Sequence, residues 1–182
     1  MKTVAVRELM VPLVDYATVS VDATLREAVL ALEKAQQALD TSQHKHRAIL
    51  VLGESGKAVS KITMKDILFA LEPNYGKVEG MEVLERSGYS PDLIKDMLED
   101  NALWAEPLQF FAERATKLKV SDFIQAPSEN EYIDQNATLG EAIHQLIVQP
   151  YHSLLVTEDD EVVGILRLSD VFSKVCDIIG GG

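Results

Sequence analysis

At 182 residues, with 47% hydrophobic and 25% charged side chains, the chain has a globular composition and the length for one good core or two small ones. Its formal net charge of −12 works against general binding to nucleic acid or anionic lipid, so an anionic ligand would need a local cluster of cations. No apolar run approaches the roughly 20 residues that cross a bilayer, the first residues lack the apolar stretch of a signal peptide, and the single cysteine rules out an internal disulfide, so a cytoplasmic location is expected.

In chain order, Val6-Arg-Glu-Leu-Met10 leads to Asp22-Ala-Thr-Leu25, where Asp22 is expected to cap a helix with Leu25, Ala28, Val29 and Leu32 on its inner face. Extra residues around Gln36–Lys45 lengthen that helix or the loop after it. His46 precedes an apolar strand, the polar turn Gly53–Gly56 follows, and a second strand ends at Ile62-Thr63 before a helix from about Lys65. Residues 73–117 read as a helical insert: a short helix at Met81–Arg86, a second opening at Ser90-Pro91-Asp92 with a stripe of Leu93, Ile94, Met97 and Leu98, and a third carrying Trp104, Leu108, Phe110 and Phe111. The insert holds too many large apolar residues for a disordered linker.

Residues 120–143 then align without a gap on residues 6–29. Val120-Ser-Asp-Phe-Ile124 matches the opening segment, and Asn136-Ala-Thr-Leu139 matches the helix start, with Leu139, Ala142, Ile143 and Leu146 as the stripe. His152, a strand, the turn Glu158–Asp160, the strand through Gly164-Ile165-Leu166-Arg167 and a helix from about Ser169 complete a second copy. One β-α-β-β-α unit thus occurs twice, dividing the chain into 1–72, 73–117 and 118–182. Cys176 lies in the last apolar helical run and is expected to be a buried thiol.

This ordered set, met twice over residues 4–72 and 118–179, resembles the CBS domain pair, also called the Bateman module. The resemblance implies an α/β (α+β) fold in which two repeats pack sheet to sheet with pseudo-twofold symmetry. It implies two clefts between them that take adenosine-containing ligands such as AMP, ADP, ATP or S-adenosylmethionine. It also implies a homodimer that regulates an attached or separate enzyme, channel or transporter; with no enzyme domain here, the client is expected to be a separate chain.

Thr63 and Asp66 are the leading ligand candidates. A carboxylate at a helix start can accept hydrogen bonds from the two hydroxyls of a ribose, yet Thr-x-x-Asp is also a common capping arrangement. In the second copy Asp170 is kept while Arg167 replaces the threonine; arginine can either grip a phosphate or pair with Asp170 and fill the cleft. Ser60 stands where the second copy has Gly164, a change that would crowd the strand. His44-Lys45-His46-Arg47 is the densest cationic group, readable as a phosphate contact or as a solvated turn; two histidines alone make a poor metal site. His152 is readable as a phosphate-side contact or as a structural histidine. By the resemblance, Ala17-Thr18-Val19 and Tyr132-Ile133 would wall an adenine, although their apolar side chains would serve a core equally well.

No phosphate loop with its lysine, nucleophile elbow or His-Glu-x-x-His is present, so no catalysis and no required cofactor are expected. The functional expectation is an adenine-nucleotide-sensing regulatory module. The alternatives are a ligand-free scaffold whose insert, with Trp104, Phe110 and Phe111, binds a partner, and a small hydrolase using carboxylates the sequence does not single out.

Overall fold

The computed structural model describes residues 4–38, 45–77 and 90–181. Among them, β1 (Val11–Pro12), β2 (Thr18–Ser20), α1 (Leu25–Ala38), β3 (Ala48–Leu52), β4 (Ala58–Thr63) and α2 (Met64–Leu71) make up the first copy. The insert contributes α3 (Pro91–Asp100) and α4 (Leu108–Lys117). The second copy supplies β5 (Tyr132–Asp134), α5 (Leu139–Val148), β6 (Ser153–Glu158), β7 (Glu161–Arg167) and α6 (Leu168–Gly180).

The mixed α/β (α+β) architecture expected from the repeat is what forms. One sheet runs β2-β3-β4, with β2 parallel and β4 antiparallel to β3. The other runs β1-β7-β6-β5, with the same parallel and antiparallel pairings around β6. Asp159 and Asp160 take φ of 48° and 65° at the β6–β7 turn, the two positive values that a tight hairpin requires and aspartate tolerates. Leu155 and Ile165 of the second sheet pack into the same buried cluster as Ile49, Leu50 and Ile62 of the first, so the sheets face each other across a shared core.

The opening segment of each copy is built into the other copy. The amides of Val6 and Arg7 donate to the carbonyls of Ala137 and Gln135, and Leu139 N donates to Val4 O. Reciprocally, Val120 N and Ser121 N donate to Ala23 O and Val21 O, and Leu25 N donates to Leu118 O. Leu25 and Leu139 are the first residues of their helices, whose amides have no partner within the helix, so the exchange satisfies groups that would otherwise be orphaned. Val6 is buried against Leu139, Leu154 and Leu166, and Val120 against Leu25, Leu50 and Val51.

The helix starts correct one expectation. Thr24 and Thr138, not Asp22 and Asn136, cap α1 and α5. Thr138 Oγ1 accepts from Glu141 N at 3.2 Å, and the Glu141 carboxylate accepts from Thr138 N at 2.7 Å; Thr24 and Glu27 repeat the pattern at 3.3 and 2.7 Å. This reciprocal box needs the hydroxyl immediately before the helix, and Asp22 and Asn136 sit two residues too early. Asn136 instead accepts from Arg7. Leu25, Ala28 and Leu32, with Leu139, Ala142 and Leu146, are buried as the periodicity predicts, whereas Val29 is exposed. The longer first helix is also observed, 14 residues against 10 in α5.

In the insert, Ser90 caps α3 through Leu93 N at 3.2 Å with Pro91 in the first turn, as predicted. Its stripe is not a core stripe, since Ile94 and Leu98 are exposed. Trp104 lies before α4, with φ of 56°, and not in a helix. Phe111 is buried and Phe110 exposed, while Met81–Arg86 falls outside the described residues.

Glu72, a residue the sequence does not single out, ties the insert to the first copy. It is 3% exposed; one carboxylate oxygen accepts from Trp104 N at 2.6 Å and the other from Asn74 N at 3.0 Å. Trp104 Nε1 donates to Tyr75 Oη at 3.1 Å, and its ring meets Phe111 edge-on at 5.1 Å. Glu72→Ala strips an acceptor from two backbone amides, at about 1–3 kcal/mol for each buried group left unsatisfied. The expected result is a clear fall in Tm together with altered emission from Trp104, the only tryptophan, read by fluorescence-monitored melting.

Candidate functional site

Both sites begin where the last strand of one copy turns into a helix and the other copy closes over it. In the first, Thr63 ends β4 and caps α2. Asp66 Oδ2 accepts from both Thr63 N and Thr63 Oγ1 at 2.7 Å, and Asp66 N donates back to Thr63 Oγ1 at 3.3 Å. The carboxylate is thus fixed at a helix N-terminus, where the peptide dipoles favour negative charge, and it stays exposed to solvent. On the same strand Lys61, with a side chain only 6% exposed, reaches across to the second copy. Its ammonium lies 3.1 Å from Glu131, donates to Ser153 O at 2.6 Å and sits 5.4 Å above the Tyr151 ring. Burial lowers the Lys61 pKa, while Glu131 and then Asp66 work in the opposite direction.

The second site has the same elements with the copies exchanged. Arg167 ends β7 and grips Asp170 bidentately, Nε to Oδ2 at 2.5 Å and Nη2 to Oδ1 at 2.7 Å. Both side chains are largely buried, 13% and 14% exposed. Arg167 Nη1 extends to His46 Nδ1 of the first copy at 3.4 Å. His46, 2% exposed, packs edge-on against Tyr16 with ring centroids 4.1 Å apart. Burial pushes the Tyr16 phenol up to about 12, against the pull of Arg167.

Set against known families, the chain matches the CBS domain at two stretches, residues 6–73 and 120–177. The chain belongs to the CBS domain family. No curated protein matches it in sequence. Among solved structures it is similar to the CBS-pair protein CBSX2 of Arabidopsis thaliana, at 16% identity and a TM-score of 0.63, covering 98% of each chain. It is similar to CBSX2 in complex with AMP, at 17% identity and a TM-score of 0.59, covering 96% of this chain and 98% of the other. A third likeness is the CBS domain of a bacterial CNNM/CorC family Mg2+ transporter in complex with ATP, at 17% identity and a TM-score of 0.57, covering 97% and 87%. No helix among the described residues is long and apolar enough to cross a membrane.

In this CBS pair the structure redistributes the residues singled out in the sequence. Thr63 and Asp66 come together, as do Arg167 and Asp170, but His46 joins the Asp170 site and not the Asp66 site. The cause is the crossed packing: the strand end of one repeat faces the strand start of the other. The cationic run therefore divides, with His46 buried and Lys45 and Arg47 exposed, while His44 lies outside the described residues. His152 is exposed, and its carbonyl accepts from Leu168 N at 3.0 Å. Ala17 is buried and its carbonyl accepts from Leu50 N; Val19 pairs with Val51 across β2 and β3. Ser60 does not crowd its strand, because its hydroxyl donates to Gln125 O at 2.9 Å. Cys176 is exposed on α6, since the inner face of that helix is taken by Val171. Lys61, Glu131 and Tyr16 are not among the residues the sequence singles out; for Lys61 the available signal is a cation between Ser60 and Ile62 in an otherwise uncharged strand.

His46 gives the fold a pH dependence. Burial, and then the Arg167 guanidinium, lower its pKa, with Asp170 opposing. The unfolded histidine binds its proton near its usual pKa of about 6.5, whereas the folded ring resists protonation. The unfolded state therefore binds more protons below about pH 6.5, and stability falls with pH from there until the folded ring titrates. The urea midpoint is expected to drop between about pH 7.5 and 5.5, and His46→Gln to flatten that part of the curve.

Proposed function

We propose that this CBS pair is a regulatory module that binds an adenosine-containing ligand, AMP, ADP, ATP or S-adenosylmethionine, between its repeats and passes its occupancy to a separate partner protein. The observation that carries the reading is Asp66: an exposed carboxylate, held in place by its own helix cap, close enough to act on Lys61, which itself reaches Glu131 and Tyr151 across the seam between repeats. It supplies the acceptor that a ribose diol needs. Thr63 supports it, and the exposed cations Lys45 and Arg47 with His152 are the proposed phosphate-side contacts. CBSX2 with AMP and the transporter CBS domain with ATP support the ligand class. A ligand bridging both repeats would favour one arrangement of the pair over another, which is how occupancy becomes a signal without chemistry.

The reading includes a homodimer. Leu68 on α2 and Phe172 and Ile179 on α6 are 55%, 65% and 80% exposed, apolar side chains on the open face of the helix that closes each repeat. Phe172→Glu is expected to convert the dimer to monomer in size-exclusion chromatography with light scattering; an unchanged mass would remove that face from the interface.

The test is ligand release and stabilisation. A mass spectrum of small molecules freed from the purified protein is expected to show an adenosine compound. Ligand at a hundred times its Kd adds about 2.7 kcal/mol, or about 5–10 °C in Tm for a chain of this size. The reading fails if none is released and none of the four ligands raises Tm.

A further inference from the structure

The two repeats differ at the residue that ends their last strand, and in the second that residue's side chain lies in the seam itself. In the first repeat that residue is Thr63, which reaches no farther than the Asp66 carboxylate it caps. Lys61, the cation beside it, is turned to Glu131 and Ser153 O on the opposite repeat, and Asp66 stays exposed. In the second repeat the residue is Arg167. It engages both oxygens of Asp170, leaves the pair 13% and 14% exposed, and sends its third nitrogen across the seam to His46, which is backed by Tyr16.

Resting on the nucleotide reading above, we infer that Arg167 is a built-in occupant of the second cleft, so that each chain takes adenine nucleotide at Asp66 and not at Asp170. The guanidinium does to Asp170 what a ribose diol would do: two donors meet two carboxylate oxygens in one plane. A ribose entering there would first have to break a desolvated, bidentate ion pair before it could reach the Asp170 carboxylate. The same side chain links the repeats through His46, as a bridging ligand would. The second cleft is therefore held in a permanently filled state, and the first alone responds to ligand.

Isothermal titration of nucleotide-stripped protein with AMP and with ATP tests this. The expected result is one nucleotide per chain, lost in Asp66→Ala and kept in Asp170→Asn. Arg167→Thr, which restores the residue of the first repeat, is expected to raise the number to two. Two sites in the wild type, a single site that survives Asp66→Ala but not Asp170→Asn, or an Arg167→Thr protein that folds and still binds one, would each overturn the inference while leaving the nucleotide reading in place. No binding by the wild type or any folded variant would overturn that reading and the inference with it. Should Arg167→Thr fail to fold, the wild-type stoichiometry and Asp66→Ala still decide between the clefts.

Discussion

Asp66→Ala is expected to weaken AMP or ATP binding by at least about tenfold while the protein stays folded. Hydrogen bonds to a charged acceptor are worth about 1.5–3 kcal/mol each, and about 1.4 kcal/mol is a factor of ten in affinity, so losing even one contact to the ribose crosses that mark. The change also removes the acidic half of the α2 cap, where Oδ2 holds Thr63 N and Oγ1 at 2.7 Å. A first-turn acid is worth about 0.3–1 kcal/mol, too little to unfold the chain. The two effects separate by experiment: a small fall in Tm without ligand, and a large loss of affinity by calorimetry. Unchanged affinity would move the ribose contact away from Asp66.

Gly164→Ala is expected to cause the largest loss of stability among single-methyl additions at the strands facing the seam. A Cβ at Gly164 would lie 2.6 Å from Val11 O, 3.3 Å from Val11 C and 3.1 Å from Met10 Sδ. The obstacle is backbone, and β1 cannot retreat without losing its pairing of Val11 with Ile165 and Pro12 with Gly164. Overpacking of this kind costs about 1–3 kcal/mol, which corresponds to about 2–12 °C in Tm at this size. The matching position in the first repeat, Ser60, carries a side chain because the Gln125 carbonyl there accepts its hydroxyl at 2.9 Å. Scanning calorimetry of Gly164→Ala beside Ser60→Ala reads the contrast; an unshifted Gly164→Ala would mean that β1 is not docked on β7.

The contrast between those two positions shows what sequence reasoning reaches. The gap-free match of residues 6–29 with 120–143 was enough for two like units, for the buried stripes of α1 and α5 and for the α/β (α+β) class, because periodicity and repetition are local signals. Ser90-Pro91 likewise marked a helix start that forms. The crossed packing was not legible: Val6 and Val120 read as the openings of their own repeats, and only the hydrogen bonds to Ala137 and Ala23 show that each completes the other. The facing of the two sheets is likewise long-range, and it decides that His46 meets Arg167 and Asp170, not Asp66. The capping role of Thr63 could be read from the tetrapeptide, but the pairing of Arg167 with Asp170 remained one of two options until geometry selected it. Glu72 escaped notice because a lone glutamate after a helix carries no sign of the two amides it will receive from the insert.

The central claim is that an adenine nucleotide binds at the seam between two unlike CBS repeats. Calorimetric titration of nucleotide-stripped wild-type protein with ATP tests it most directly. Saturable binding at one site per chain, abolished or weakened at least about tenfold in Asp66→Ala, is the predicted result. No heat of binding with ATP, or binding indifferent to Asp66, would contradict it.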